Sequence, residues 1–106
     1  MENQQPAIDV VRQYLEHEFP GRYVADFRDG AYQGHTFRVD DGTGTRVAGL
    51  TLPTAIVDEL HEVDPAGFVD GLRDMLNQQH VAAGLRNEGR WKRVILTKDG
   101  YSVVSV

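Results

Sequence analysis

An α+β domain built on an antiparallel sheet is the fold class the sequence predicts, in the order α-β-β-β-α-α-β-β. Three observations carry it. An amphipathic helix precedes three strand-like segments, Arg22–Arg28, His35–Val39 and Arg46–Leu52. A helical stretch follows them, and a hairpin closed by Asp99-Gly100 ends the chain. The expected architecture is a sheet of about five strands with helices packed mainly on one face. At 106 residues the chain is one domain, 1–106.

The first helix is expected over Pro6–Phe19. Ala7, Ile8, Val11, Tyr14, Leu15, Glu18 and Phe19 follow helical spacing, so one side is almost wholly apolar. Pro6 suits a first helical turn, and Pro20-Gly21 stops the helix. In the first strand Tyr23, Ala25 and Phe27 alternate with Val24 and Asp26. In the second, His35, Phe37 and Val39 alternate with Thr36 and Arg38. This is the period of two of a half-buried antiparallel sheet. Asp29-Gly30 breaks the first pair, and Asp41-Gly42-Thr43-Gly44 turns the second. Ala48, Leu50 and Leu52 share a face of the third strand, which ends at Pro53.

Pro53 opens a short helix carrying Ile56, Val57 and Leu60. Asp64-Pro65 then reads as an N-cap with Pro at the first helical position. The helix after it places Phe68, Leu72, Met75, Leu76 and Gln79 on one side and is expected to fray near Gly84. Gly67 and Gly71, four apart, each cost about 1 kcal/mol relative to Ala inside a helix, which points to close packing there. Trp91–Thr97 and Tyr101–Val106 form the last hairpin.

Composition sets limits on chemistry. The chain has no cysteine, so disulfides, thiolate nucleophiles and cysteine metal sites are excluded. No apolar run approaches the ~20 residues of a membrane span, and the polar start carries no secretory signal; a cytoplasmic protein without membrane contact is expected. A net charge of −5 disfavours non-specific binding to nucleic acid. That charge is uneven. Asp58–Asp74 holds six acids and one base, and Arg86–Lys98 five bases and one acid; the simplest account is that the two segments pair.

No cofactor or metal is expected. Asp40-Asp41-Gly42-Thr43-Gly44 lacks the leading nucleophilic Asp of a phosphatase-type loop, has Val39 in its place, and fails the calcium-loop spacing. His17-Glu18 and His61-Glu62 lack the second His of a helical zinc motif. His35 shares a face with Phe37 and Val39 and is the candidate for proton transfer, since its ordinary pKa lies near neutrality. Arg86, Arg90, Trp91, Lys92 and Arg93 are the candidate partner-binding residues, because bases interleaved with an aromatic can meet phosphates and stack on a ring.

The helix–three strands–helix order resembles double-stranded RNA-binding domains, whose second helix starts Lys-rich; here Pro53-Thr54-Ala55-Ile56-Val57-Asp58-Glu59 has no base, which argues against that activity. The full order and the acidic charge also look like those of type III secretion chaperones. That likeness implies a small, dimeric, non-catalytic holder of unfolded segments. The expected function is a protein-interaction module (chaperone, adaptor, inhibitor or immunity-type protein), monomeric or homodimeric, with a protein as partner. Nucleic-acid binding through 86–93 and an enzyme using His35 are the alternatives.

Overall fold

The alternating segments pair into one sheet in which sequence order is also spatial order, β1 (Tyr23–Asp29), β2 (Gly34–Asp40), β3 (Arg46–Pro53), β4 (Lys92–Thr97) and β5 (Gly100–Ser105). Among the described residues four helices complete it: α1 (Gln4–Glu18), α2 (Thr54–Val63), α3 (Phe68–Gln78) and α4 (Val81–Glu88). The computed structural model describes residues 4–78, 80–88, 92–97 and 100–105. Gln79, Arg90, Trp91 and Asp99, on which parts of the sequence reading rest, lie outside them. The expected element order holds, and these elements form one compact domain.

The sheet is mixed rather than purely antiparallel. β1, β2 and β3 form an antiparallel meander and β4–β5 a hairpin. β3 and β4 run parallel, with Leu50 opposite Val94 and Thr51 opposite Ile95. The cause is the connection. Three helices lie between β3 and β4, and a crossover of that length returns the chain to enter its next strand in the same direction.

Helices pack on one face. The register places Phe37, Val39, Ala48, Leu50, Leu52, Val94 and Leu96 together, and all are buried. Ala7, Val10, Val11, Tyr14, Leu15 and Phe19 of the first helical segment join them in one core with Val57, Leu72, Leu76, Val81 and Leu85. Tyr14 also ties three helices together. Its hydroxyl donates to the Leu76 carbonyl (3.3 Å) and accepts from the Ala82 amide (2.9 Å). Burial raises its pKa above the ordinary value.

The second helical stretch differs from expectation in two places. It breaks at His80, which sits in the left-handed region (φ 55°), and restarts as α4, so Gly84 lies inside a helix rather than at its end. Gly84 lets the Tyr101 ring lie close over the helix: a Cβ would meet it at 2.6 Å. Of the two glycines expected to pack closely, Gly67 does so against the Asp64 carboxylate, which lies where a Cβ would project, and Gly71 does not. Gly67 sits in the turn before α3, its amide held by the Asp64 carboxylate (3.0 Å), and Gly71 is exposed with open space around it. Asp64 thus caps as read, one turn ahead of the regular helix. No described helix is long and apolar enough to cross a membrane.

Candidate functional site

The register assigns the remaining strand residues to the face that no helix covers. Tyr23, Ala25, Phe27 and Asp29 of β1 stand beside Thr36, Arg38 and Asp40 of β2, then Arg46, Gly49 and Thr51 of β3, then Arg93 and Ile95 of β4. The apolar set of the first strand therefore faces outward. Tyr23 is 68% and Phe27 51% exposed. Val24 and Asp26 take the helix side instead.

A polar network is built into this open face. Thr36 donates to the Asp29 carboxylate (2.8 Å) and shares a hydrogen bond with Thr51 (2.9 Å). Arg93 donates to the same Asp29 oxygen (2.9 Å) and lies over the Tyr32 ring, 4.7 Å from its centroid. The Ala31 amide donates to the other oxygen (3.2 Å), capping the short 3-10 turn Gly30–Tyr32. Asp29 is only 9% exposed. The Thr36 hydrogen bond above all, then Arg93 and the turn amides, holds its carboxyl below the ordinary range.

Beside the network lies a hollow of about 160 Å³, walled by Phe27, Thr36, Arg38, Arg46 and Arg93 and floored by Gly49. Glycine makes the room, because the Arg46 guanidinium lies where a Cβ of residue 49 would project. Arg46 donates to the Lys92 carbonyl (2.8 Å), joining β3 to β4. Arg38 is paired with Asp40 (2.6 Å) and Arg93 with Asp29 (2.9 Å). Among the described residues no carboxylate pairs with Arg46. Burial, and then the charges of Arg93 and Arg38, push its pKa below the ordinary value, although Asp40 opposes this. Among the described residues the buried Nε–H groups of Arg46 and Arg93 find no acceptor. An unsatisfied buried donor costs about 1–3 kcal/mol.

A second polar cluster sits on the helix side, at the β1 rim. His35 Nε2 lies 2.6 Å from Asp26 Oδ1, and Arg12 of α1 pairs with the other Asp26 oxygen while donating to the Val24 carbonyl (2.8 Å). The His35 ring leans on Phe37, centroids 5.4 Å apart. Burial, with the Arg28 and Arg12 charges, lowers the His35 pKa. The candidate base thus has an acidic partner, and the arrangement pins α1 to the sheet. A larger hollow of about 430 Å³ lies at the corner of the β1–β2 loop and α2, among Arg28, Tyr32, Gln33, Thr54 and Asp58.

The five residues of the basic segment are not drawn to one surface as far as they are described. Arg86 pairs with Glu18 (2.9 Å) and covers the Phe19 ring (5.5 Å) at the end of α1. Lys92 and Arg93, adjacent in β4, take opposite faces of the sheet, and Arg90 and Trp91 lie outside the described residues. Arg86 and Arg93 find their partners, Glu18 and Asp29, outside the acidic run 58–74. No group of three or more described acids and histidines could hold a metal ion.

No protein-family model matches the chain, and comparison with curated proteins and with solved structures gives no match.

Proposed function

We propose that the protein is a small non-catalytic interaction module that receives an acidic segment of a protein partner on the open face of its sheet. One observation carries this reading: exposed Tyr23 and Phe27 stand beside the Arg38–Arg46–Arg93 cluster on a face left uncovered by helices. Tyr and Arg are the side chains that most often dominate binding energy at protein interfaces, where a flat apolar ring sits beside a planar charged fork. Charge complementarity supports the acidic partner. The helices carry nine acids and three bases, while the open face of the sheet carries three bases (Arg38, Arg46, Arg93) and two acids (Asp29, Asp40), so the open face is the basic side of an acidic molecule. Its expected place of work is the cytoplasm, in keeping with a chain free of cysteine.

A photo-crosslinking amino acid placed at Phe27, with Val63 (86% exposed, at the end of α2) as the control position, tests the reading in lysate from the source cell. A protein adduct formed at 27, absent at 63 and unchanged by nuclease, is the expected result. Adducts lost on nuclease treatment would replace the protein partner with nucleic acid. Equal adducts at both positions, or none at 27, would remove the open face as the contact surface.

A further inference from the structure

We propose that the hollow over Gly49 binds an oxyanion, a carboxylate or a phosphate group, gripped by Arg46 with Arg38 and Arg93 on either side. The inference rests on the open face being the contact surface and names the chemistry that is recognised there. Charge comes first. Three guanidinium groups from three neighbouring strands converge, and the fold answers them with two carboxylates, Asp29 and Asp40. The charge left over is that of Arg46.

Donors come second. Arg46 gives one N–H to a backbone carbonyl, and its Nε–H, like that of Arg93, meets no acceptor among the described residues. Both are out of reach of bulk water. An acceptor seated in the hollow, with a small turn of the side chain toward it, supplies what is missing, and an anion there also answers the Arg46 charge, which a water does not. A guanidinium presents paired N–H groups in a plane, the arrangement that matches two oxygens of one carboxylate or phosphate.

Size comes third. A volume of about 160 Å³ holds a few waters at about 30 Å³ each and falls short of the ~300–1,000 Å³ typical of sites for whole small molecules. It suits one anionic group, carried on a side chain or free in solution.

The test is nuclear magnetic resonance of the arginine Nε–Hε groups in the ¹⁵N-labelled full chain, at constant ionic strength. Inorganic phosphate, acetate and an oligoglutamate peptide are titrated separately against sodium chloride. Saturable shifts at Arg46 and Arg93 are expected, and Arg46→Gln is expected to weaken binding about tenfold or more. Gly49→Ala, which places a methyl where the guanidinium lies, is expected to weaken it without removing a charge. Saturation by phosphate alone assigns a free or esterified phosphate, and tighter saturation by the peptide assigns side-chain carboxylates. Shifts that match chloride, or equal affinity in Arg46→Gln, overturn the proposal. Should Arg46 fail to respond while position 27 still crosslinks, this inference falls alone. A saturable Arg46 response without any adduct at 27 leaves the anion site standing and removes the partner.

Discussion

His35 shows how a single side chain ties acidity to stability. Its pKa in the folded protein lies below the ordinary value because the ring is partly buried and faces the Arg28 and Arg12 guanidinium groups. Arg12 also holds the Asp26 carboxylate that the ring touches. The unfolded chain therefore takes up the proton first as pH falls. The stability tied to neutral His35 is fully present above about pH 6.5 and is lost as the solution is acidified through that value. Wild type and His35→Gln, unfolded by urea between neutral pH and mild acid, should diverge, with wild type losing more. Parallel curves would remove His35 as the origin. The sequence singled out His35 by its place beside Phe37 and Val39. Its partner was not legible, because Asp26 reaches the ring only through the register that sets Arg28 opposite His35 and Asp26 opposite Phe37. The hollow was hidden for the same reason. Arg38 and Gly49 are eleven positions apart in the chain and become neighbours only when β2 and β3 pair.

Elements were legible wherever a local signal was enough. The period of α1, the alternation of β2 and the Pro53 stop each act within a few residues, and each stands in the structure. β1 is the exception. Its alternation of Tyr23, Ala25 and Phe27 with Val24 and Asp26 left open which set is covered, and in this edge strand the helix side is taken up by the Arg12–Asp26–His35 cluster. The break at His80 gave no warning, since a left-handed histidine is not coded by a glycine or proline. Gly71 supplies the test at this scale. It lies in α3, exposed, at ordinary helical conformation and with open space where a Cβ would go. Gly71→Ala should therefore stabilise the protein by up to about 1 kcal/mol through helix propensity alone, read as a higher denaturation midpoint. A lower midpoint would mean that another surface packs against Gly71.

Across the whole molecule, charge and hydrogen bonding are both divided by layer. Helices hold most of the acids, and strands hold the bases that look outward, so the two sides meet an approaching partner differently. The sheet itself is also divided. Antiparallel β1–β3 and β4–β5 pair along nearly their full lengths, whereas among the described residues the parallel junction between them has two registered rungs, Leu50–Val94 and Thr51–Ile95. Across that junction Arg46 grips the Lys92 carbonyl and Arg93 grips Asp29.

That narrow junction sets an order of assembly. The meander closes through neighbours in sequence, while the last hairpin docks only after some forty intervening residues have been gathered into helices, a closure that is slow on loop-entropy grounds. The same boundary is where we expect the native state to part first. On that expectation β4 and β5 lift away as a unit while β1–β3 remain paired, in the manner of a cooperative subglobal opening. Native-state hydrogen exchange should find the amides of β5 opening at lower free energy than those of β2. Equal protection of the two strands would make the whole sheet a single cooperative unit. Because Arg46 and Arg93 span the boundary and also wall the hollow, an anion held between them would act as a latch, raising the opening energy of the hairpin without touching either of its strands' partners in the core.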